Sequence, residues 1–228
     1  MRNIGVIIRK ELADTIKNKT VLIQFLMFPV LTLIMENAVT IKDMPEHFFT
    51  ILFSIMYMGM APLTSVAAII SEEKEKNTLR VLLMASVKPA EYLAGVGIYI
   101  WTICMAGAGV MATGLPREKI PFYLIVMGSG FVISIAIGAC IGILSSNQMV
   151  ATSVVMPVMM VFSFAPMLAM FNDKIEKVAR IFYTQQLKIL LNDMTLACIR
   201  KETVAVVAVN AALAVILFIV AVRRKGLE

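Results

Sequence analysis

Histidine occurs once among the 228 residues, tryptophan once and cysteine three times. A lone His47 at the edge of a polar stretch supplies no acid–base pair. Cys104, Cys140 and Cys198 are too widely spaced for a CxxC pair or a disulfide framework. Two of the three lie inside apolar runs, where a free thiol behaves as a small apolar side chain. No GxxxxGK[ST] phosphate loop and no GxGxxG element is present, so nothing suggests that the chain binds and hydrolyses nucleotide by itself. Charge is also scarce, at 16% of residues, where soluble domains carry roughly 25%. These shortages leave no catalytic residue and no metal site to nominate.

Apolar residues are what the chain has in abundance: 60% of the total, with a mean hydropathy of +0.87. A water-soluble chain of this length could not bury so much apolar surface, so the excess must face lipid. Each crossing of the bilayer needs about 20 mostly apolar residues, which limits the count to six or seven and leaves no room for a second, soluble domain. Six runs meet the requirement: about 21–39, 48–70, 92–113, 122–144, 149–171 and 204–222. The whole chain, 1–228, therefore reads as one all-α transmembrane domain in the lipid bilayer.

The formal charge of +6 does not indicate nucleic acid as a partner. The basic residues gather at the edges of the apolar runs, where they set orientation. With the N-terminus in the cytoplasm, twelve fall inside: Arg2, Arg9, Lys10, Lys17, Lys19, Lys74, Lys76, Arg80, Lys88, Arg223, Arg224 and Lys225. Outside, apart from the link before the last run, there are three: Lys42, Arg117 and Lys119. The expected topology is a multi-pass cell-membrane protein with both termini cytoplasmic.

Three segments outside the runs carry their own pattern. Met1 to Thr20 is interrupted at Arg9, Lys10 and Glu11 and has no cleavage site, so it does not read as a signal peptide. As a helix it places Ile4, Ile7, Ile8, Leu12 and Ile16 on one broad face and Arg9, Lys10, Asp14 and Lys17 opposite, with Glu11 intruding on the apolar side. That pattern suits a helix lying in the membrane interface. In 172–201, Ile175, Val178, Ile181 and Phe182 share one helical spacing, and Leu187, Leu190, Leu191 and Met194 share another. Two short re-entrant helices in the outer leaflet fit this better than a water-exposed loop, and Lys188 and Asp193 argue against a further crossing. The third segment, SEEKEKNTLRVLLMASVKPAE at 71–91, mixes charges of both signs with a Leu79, Leu82, Leu83 stripe, and Pro89 is expected to end its helix. It is either a solvated, topology-setting loop or a short helix offering that stripe to a cytosolic protein.

Polar residues within the runs are costly in hydrocarbon and should face protein or water. Gln24, Glu36 and Asn210 are the candidates for a substrate pathway, although solvation at the boundary explains Glu36 and an interhelical hydrogen bond explains Asn210 as well. Gly138 and Gly142 form a GxxxG pair that permits close helix approach, within one chain or between two.

Arg9–Leu12 (RKEL), Pro29 within the first run and Glu72–Gly95 (EEKEKNTLRVLLMASVKPAEYLAG) together resemble the membrane permease subunits of ATP-binding-cassette exporters of the second type, the type V exporter fold. The resemblance spans nearly the whole chain, with Asn77 where the family usually has glycine and Val96 where it usually has lysine. It implies a transport subunit, itself non-catalytic, paired with a second copy or homologue. It further implies a separate cytosolic ATP-binding-cassette ATPase holding ATP and Mg. Arg9, Lys10, Glu11, Glu73, Glu75, Lys76, Thr78, Leu79, Arg80, Leu82 and Leu83 would then contact that ATPase. An apolar pathway suits lipids, amphipathic antimicrobial peptides or hydrophobic drugs, and the family also includes sodium and polysaccharide exporters. A self-contained channel or ion transporter, and a non-transporting scaffold or immunity protein, are the alternatives.

Overall fold

The computed structural model describes residues 2–17, 19–39, 45–84, 87–195 and 199–225. Lys42, Asp43 and Cys198 lie outside the described residues, as does the side chain of Leu83. The described chain is helical, with no strand among those residues: α1 (Arg2–Lys17), α2 (Lys19–Ala38), α3 (Phe48–Glu75), α4 (Thr78–Met84), α5 (Pro89–Met111), α6 (Ile120–Leu144), α7 (Gln148–Leu168), α8 (Asp173–Ala179), α9 (Tyr183–Asp193) and α10 (Lys201–Lys225). Five of them, α3, α5, α6, α7 and α10, are long and apolar enough to cross a membrane, whereas α2 is apolar over the shorter stretch Leu22–Ala38.

Local chemistry explains where the helices begin and end. The Asn147 side chain accepts from the Val150 amide (2.9 Å) at the start of α7, and Asn172 accepts from the Lys174 amide (2.9 Å) at the start of α8. Both satisfy amides that have no partner within the helix. Pro89 opens α5 instead of closing the helix before it. This corrects the sequence expectation, and the reason is that a proline at the first helical position loses no helical hydrogen bond.

α3 is the central helix. Two-thirds of its apolar window (67%) is buried against 11% for α10, which marks α10 as facing outward and α3 as enclosed. It packs chiefly on α6 and α7, with α2 and α5 completing its surround. The GxxxG pair is what brings α6 so close. A side chain at Gly138 would overlap the Leu63 carbonyl of α3, and one at Gly142 would come within 2.9 Å of Ile70 Cβ. The motif therefore serves packing within the chain. One polar group at the α3–α6 contact is doubly bonded: Ser134 Oγ donates to the Met58 carbonyl (2.7 Å) and shares a 2.7 Å hydrogen bond with the Tyr183 hydroxyl.

The segment before α10 forms two helices, α8 and α9, as its periodicity suggests. α9 is not spread on a surface, however; Tyr183 to Lys188, Leu190 and Leu191 are all buried. It inserts among α3, α6, α7 and α10. Lys188 is enclosed because its ammonium donates to the Pro166 carbonyl (2.7 Å) in the last turn of α7, where a positive charge meets a free carbonyl at a helix C-terminus.

Candidate functional site

The charged end of α3 joins four other elements. α3 continues beyond its apolar run through Ser71 to Glu75 and then stops, because Asn77 adopts a left-handed conformation (φ 57°). Among non-glycine residues asparagine tolerates this region well, so the turn forms without a glycine. The Lys76 amide closes on the Glu72 carbonyl (2.9 Å) and the Asn77 amide on the Lys74 carbonyl (3.1 Å). The chain then enters α4, whose first residue, Thr78, donates its hydroxyl to the Glu73 carbonyl (3.2 Å).

α1 docks on the same end. Ile7, Glu11 and Thr15, spaced by one turn each, are its buried residues. Ile7 lies against Gly95 of α5, where a Cβ would come within 2.9 Å of it, and Thr15 hydrogen-bonds the Tyr99 hydroxyl. Leu12 and Ile16 stay exposed, so only half of the anticipated apolar face meets protein. Glu11, the residue that broke the apolar pattern, sits in the middle of the contact. Lys10 bridges it (2.9 Å) to Glu73 of α3 in an ion pair. Burial pushes the Glu11 carboxyl above its ordinary range, and the hydrogen bond from Lys10 opposes this. The second Glu73 carboxylate oxygen is buried without a hydrogen-bond partner.

The neighbouring residues hold the turn between α6 and α7. Lys74 Nζ donates to the carbonyls of Ile143 (2.7 Å) and Ser145 (3.0 Å) at the end of α6. Glu75 Oε2 accepts from the Gln148 amide (2.9 Å) at the start of α7. A cation thus meets a helix C-terminus and an anion a helix N-terminus, each with the favourable sign. The sequence reading used Lys74 only as a topology marker. The signal it missed was a Lys–Glu pair beside a chain with a four-residue link, 145–148, that leaves two helix ends in need of partners.

α4 is oriented differently from the expectation. Leu79 is 1% exposed and Leu82 is half-buried, both packed on the protein's own core. A stripe offered to a partner would have left them in water; burial against the rest of the chain removes that apolar area first. Outward are Arg80, Val81 (62%) and Met84 (69%). Lys76 is exposed and pairs with Glu72, which raises its pKa, and Arg9 is exposed on α1.

The pathway candidates lie elsewhere and are not brought together. Glu36 Oε2 accepts from the Thr50 amide (3.0 Å) in the first turn of α3, and Oε1 stands 3.5 Å from His47 Nδ1. Its carboxylate caps a helix, which accounts for an acid at that depth. Asn210 Nδ2 donates to the Ile181 and Val206 carbonyls (both 2.9 Å), tying α10 to the link between α8 and α9. It also borders a groove of about 1040 Å³ between α6, α7 and α10. Gln24 is half-buried on α2.

A bundle of long apolar helices with short interhelical links and a charged, cross-braced end defines a polytopic helical membrane protein. The sequence profile of the ABC-2 family transporter proteins matches residues 4–223. The chain belongs to that family, and it is a transmembrane subunit of an ATP-binding-cassette (ABC) transporter. A search of curated proteins finds no match to it.

Proposed function

We propose that the chain is the permease subunit of an ATP-driven exporter, a single transmembrane domain over 1–228 that crosses the membrane six times with both termini cytoplasmic. α2 supplies the sixth crossing, its shorter apolar stretch matched by local thinning of the bilayer. Two copies, or this chain and a homologue, form the substrate pathway. A separate cytosolic ATPase holds ATP and Mg. The substrate is amphipathic or hydrophobic, of the lipid, antimicrobial-peptide or drug kind, with an ion as the second candidate.

The observation that carries this reading is the bracing of α3's charged end. Glu73, Lys74 and Glu75, three consecutive residues, hold α1, α4, α6 and α7. A force applied to α4 or α1 is therefore passed directly to the central helix and to two further spans. Nucleotide-driven closure of the ATPases shifts the bundle only if their contact differs in free energy between its two states. Arg80, Val81 and Met84 on α4, with Lys76 in the turn before it and Arg9 on α1, all exposed, form the surface for that contact. Glu11, Glu73, Thr78, Leu79 and Leu82 act behind it by holding α4 and α1 in place, and Glu75 by holding the start of α7.

The test is purification of the tagged chain from its native membrane in mild detergent. A stoichiometric ATP-binding-cassette ATPase should accompany it. A chain that emerges alone, under conditions that keep other transporters assembled, would overturn the proposal.

A further inference from the structure

A second groove, of about 900 Å³, opens between α5, α6 and α10 at the end of the bundle that carries α4. Its walls follow helical spacing. α5 contributes Leu93, Ala94 and Gly97, while α10 contributes Val215, Phe218 and Val222. α6 contributes the small side chains of Ala136 and Ala139, and Val66 and Ile70 of α3 also line the groove. At its polar end stand Lys88, just before α5, and Arg223, in the last turns of α10. Both are exposed and no carboxylate lines the groove among the described residues; Glu91 is turned toward the Lys88 amide (3.4 Å) as a helix cap.

The extent of the groove decides what fits it. From Lys88 to Gly97, and from Val215 to Arg223, the walls run for about 12–14 Å at the 1.5 Å rise of a helix. A hydrocarbon core is about 30 Å thick, so the groove covers nearly one leaflet and no more. A transmembrane helix from a second copy would need a seam through both leaflets. A phospholipid needs one leaflet of apolar wall for its chains and, if anionic, cations where its phosphate emerges. Basic pockets between spans are the general form of such sites.

We propose that this groove binds one anionic phospholipid from the leaflet on the α4 side. The phosphate sits between Lys88 and Arg223, and an acyl chain lies along Ala94 and Ala136. A lipid held there touches α10, the least enclosed span, and α5, on which α1 docks. The inference is independent of the ATPase proposed above.

The test uses the full chain in phosphatidylcholine nanodiscs containing one part in three phosphatidylglycerol, with retained lipid read by native mass spectrometry. The wild-type chain should keep one phosphatidylglycerol. Lys88→Gln with Arg223→Gln should weaken its retention about thirtyfold, at roughly one charge's worth of surface attraction per residue. Ala94→Phe keeps both cations but fills the trough, and should also expel the lipid; Ala136→Phe does the same from α6. Thermal unfolding in pure phosphatidylcholine separates lipid loss from misfolding. Retention of phosphatidylglycerol no better than phosphatidylcholine, or unchanged in both classes of variant, would overturn the proposal. So would a shift from dimer to monomer in Ala94→Phe with lipid retention intact, which would make the groove a contact between two chains.

Discussion

Lys10 and Glu73, 63 residues apart in the chain, form an ion pair that fastens α1 to the charged end of α3. Lys10 is partly exposed (33%), whereas Glu73 and Glu11 are almost wholly buried (8% and 5%). One cation thus serves two enclosed carboxylates.

Removing the cation alone should cost more than removing the pair, because an uncompensated buried charge is the expensive outcome. Lys10→Met is expected to destabilise the detergent-solubilised chain by about 2–3 kcal/mol, and Lys10→Met with Glu73→Met to recover at least half of that. A double-mutant cycle from thermal unfolding measures it. Additive losses would show that the two side chains do not interact.

Glu11 gives the contact a pH dependence. Its folded pKa is raised above the ordinary 4.5, so between the two values the folded state binds more protons than the unfolded state. Stability then falls as pH rises through that window. The melting temperature should rise as pH is lowered from neutral toward the ordinary carboxylate value of 4.5, and Glu11→Gln should flatten that rise. An equal rise in the variant would assign the effect to other groups.

Lys74 and Glu75 hold helix ends and leave the proposed ATPase surface untouched. Lys74→Met and Glu75→Gln should each cost about 1–2 kcal/mol of stability. Both should leave the ATPase associated while lowering substrate-stimulated ATP hydrolysis in reconstituted vesicles. Loss of association would place these residues at the contact itself.

Cysteine labelling tests the proposed orientation, and the burial of Lys188 makes Lys177 the position to use. A cysteine at Lys177, exposed at the end of α8, should react with an impermeant maleimide added to intact cells. One at Lys188, hydrogen-bonded to Pro166 and 7% exposed, should react poorly from either side. Labelling of Lys177→Cys only after lysis would reverse the proposed orientation.

Much of this arrangement was legible in the residues, and what was not has a common cause. Apolar runs located α3, α5, α6, α7 and α10 to within a few residues, because span length is fixed by the bilayer and not by tertiary context. The two helices before α10 were also readable, from their apolar spacing. An amphipathic stripe, by contrast, says that a face will be buried but not against what. Leu79 and Leu82 pack on their own chain, and Gly138 and Gly142 on α3. Single polar residues were misleading for the same reason. Glu11 looked like a flaw in an apolar face and proves to be the centre of a contact, while Glu36, read as either a pathway group or a residue solvated at the boundary, accepts from the Thr50 amide at the start of α3. The residues that complete these contacts, Glu73 through Lys10 and Thr50 directly, lie 62 and 14 positions from Glu11 and Glu36, beyond any local pattern.

The outward face of α4 is the feature on which coupling to an ATPase depends. Val81→Asp and Met84→Asp, made separately in the tagged chain, test it by quantitative co-purification of the ATPase from membranes. The account predicts normal insertion and unchanged thermal stability with at least a tenfold loss of bound ATPase, at roughly 1.4 kcal/mol or more per substitution. Full retention of the ATPase by both variants would contradict it.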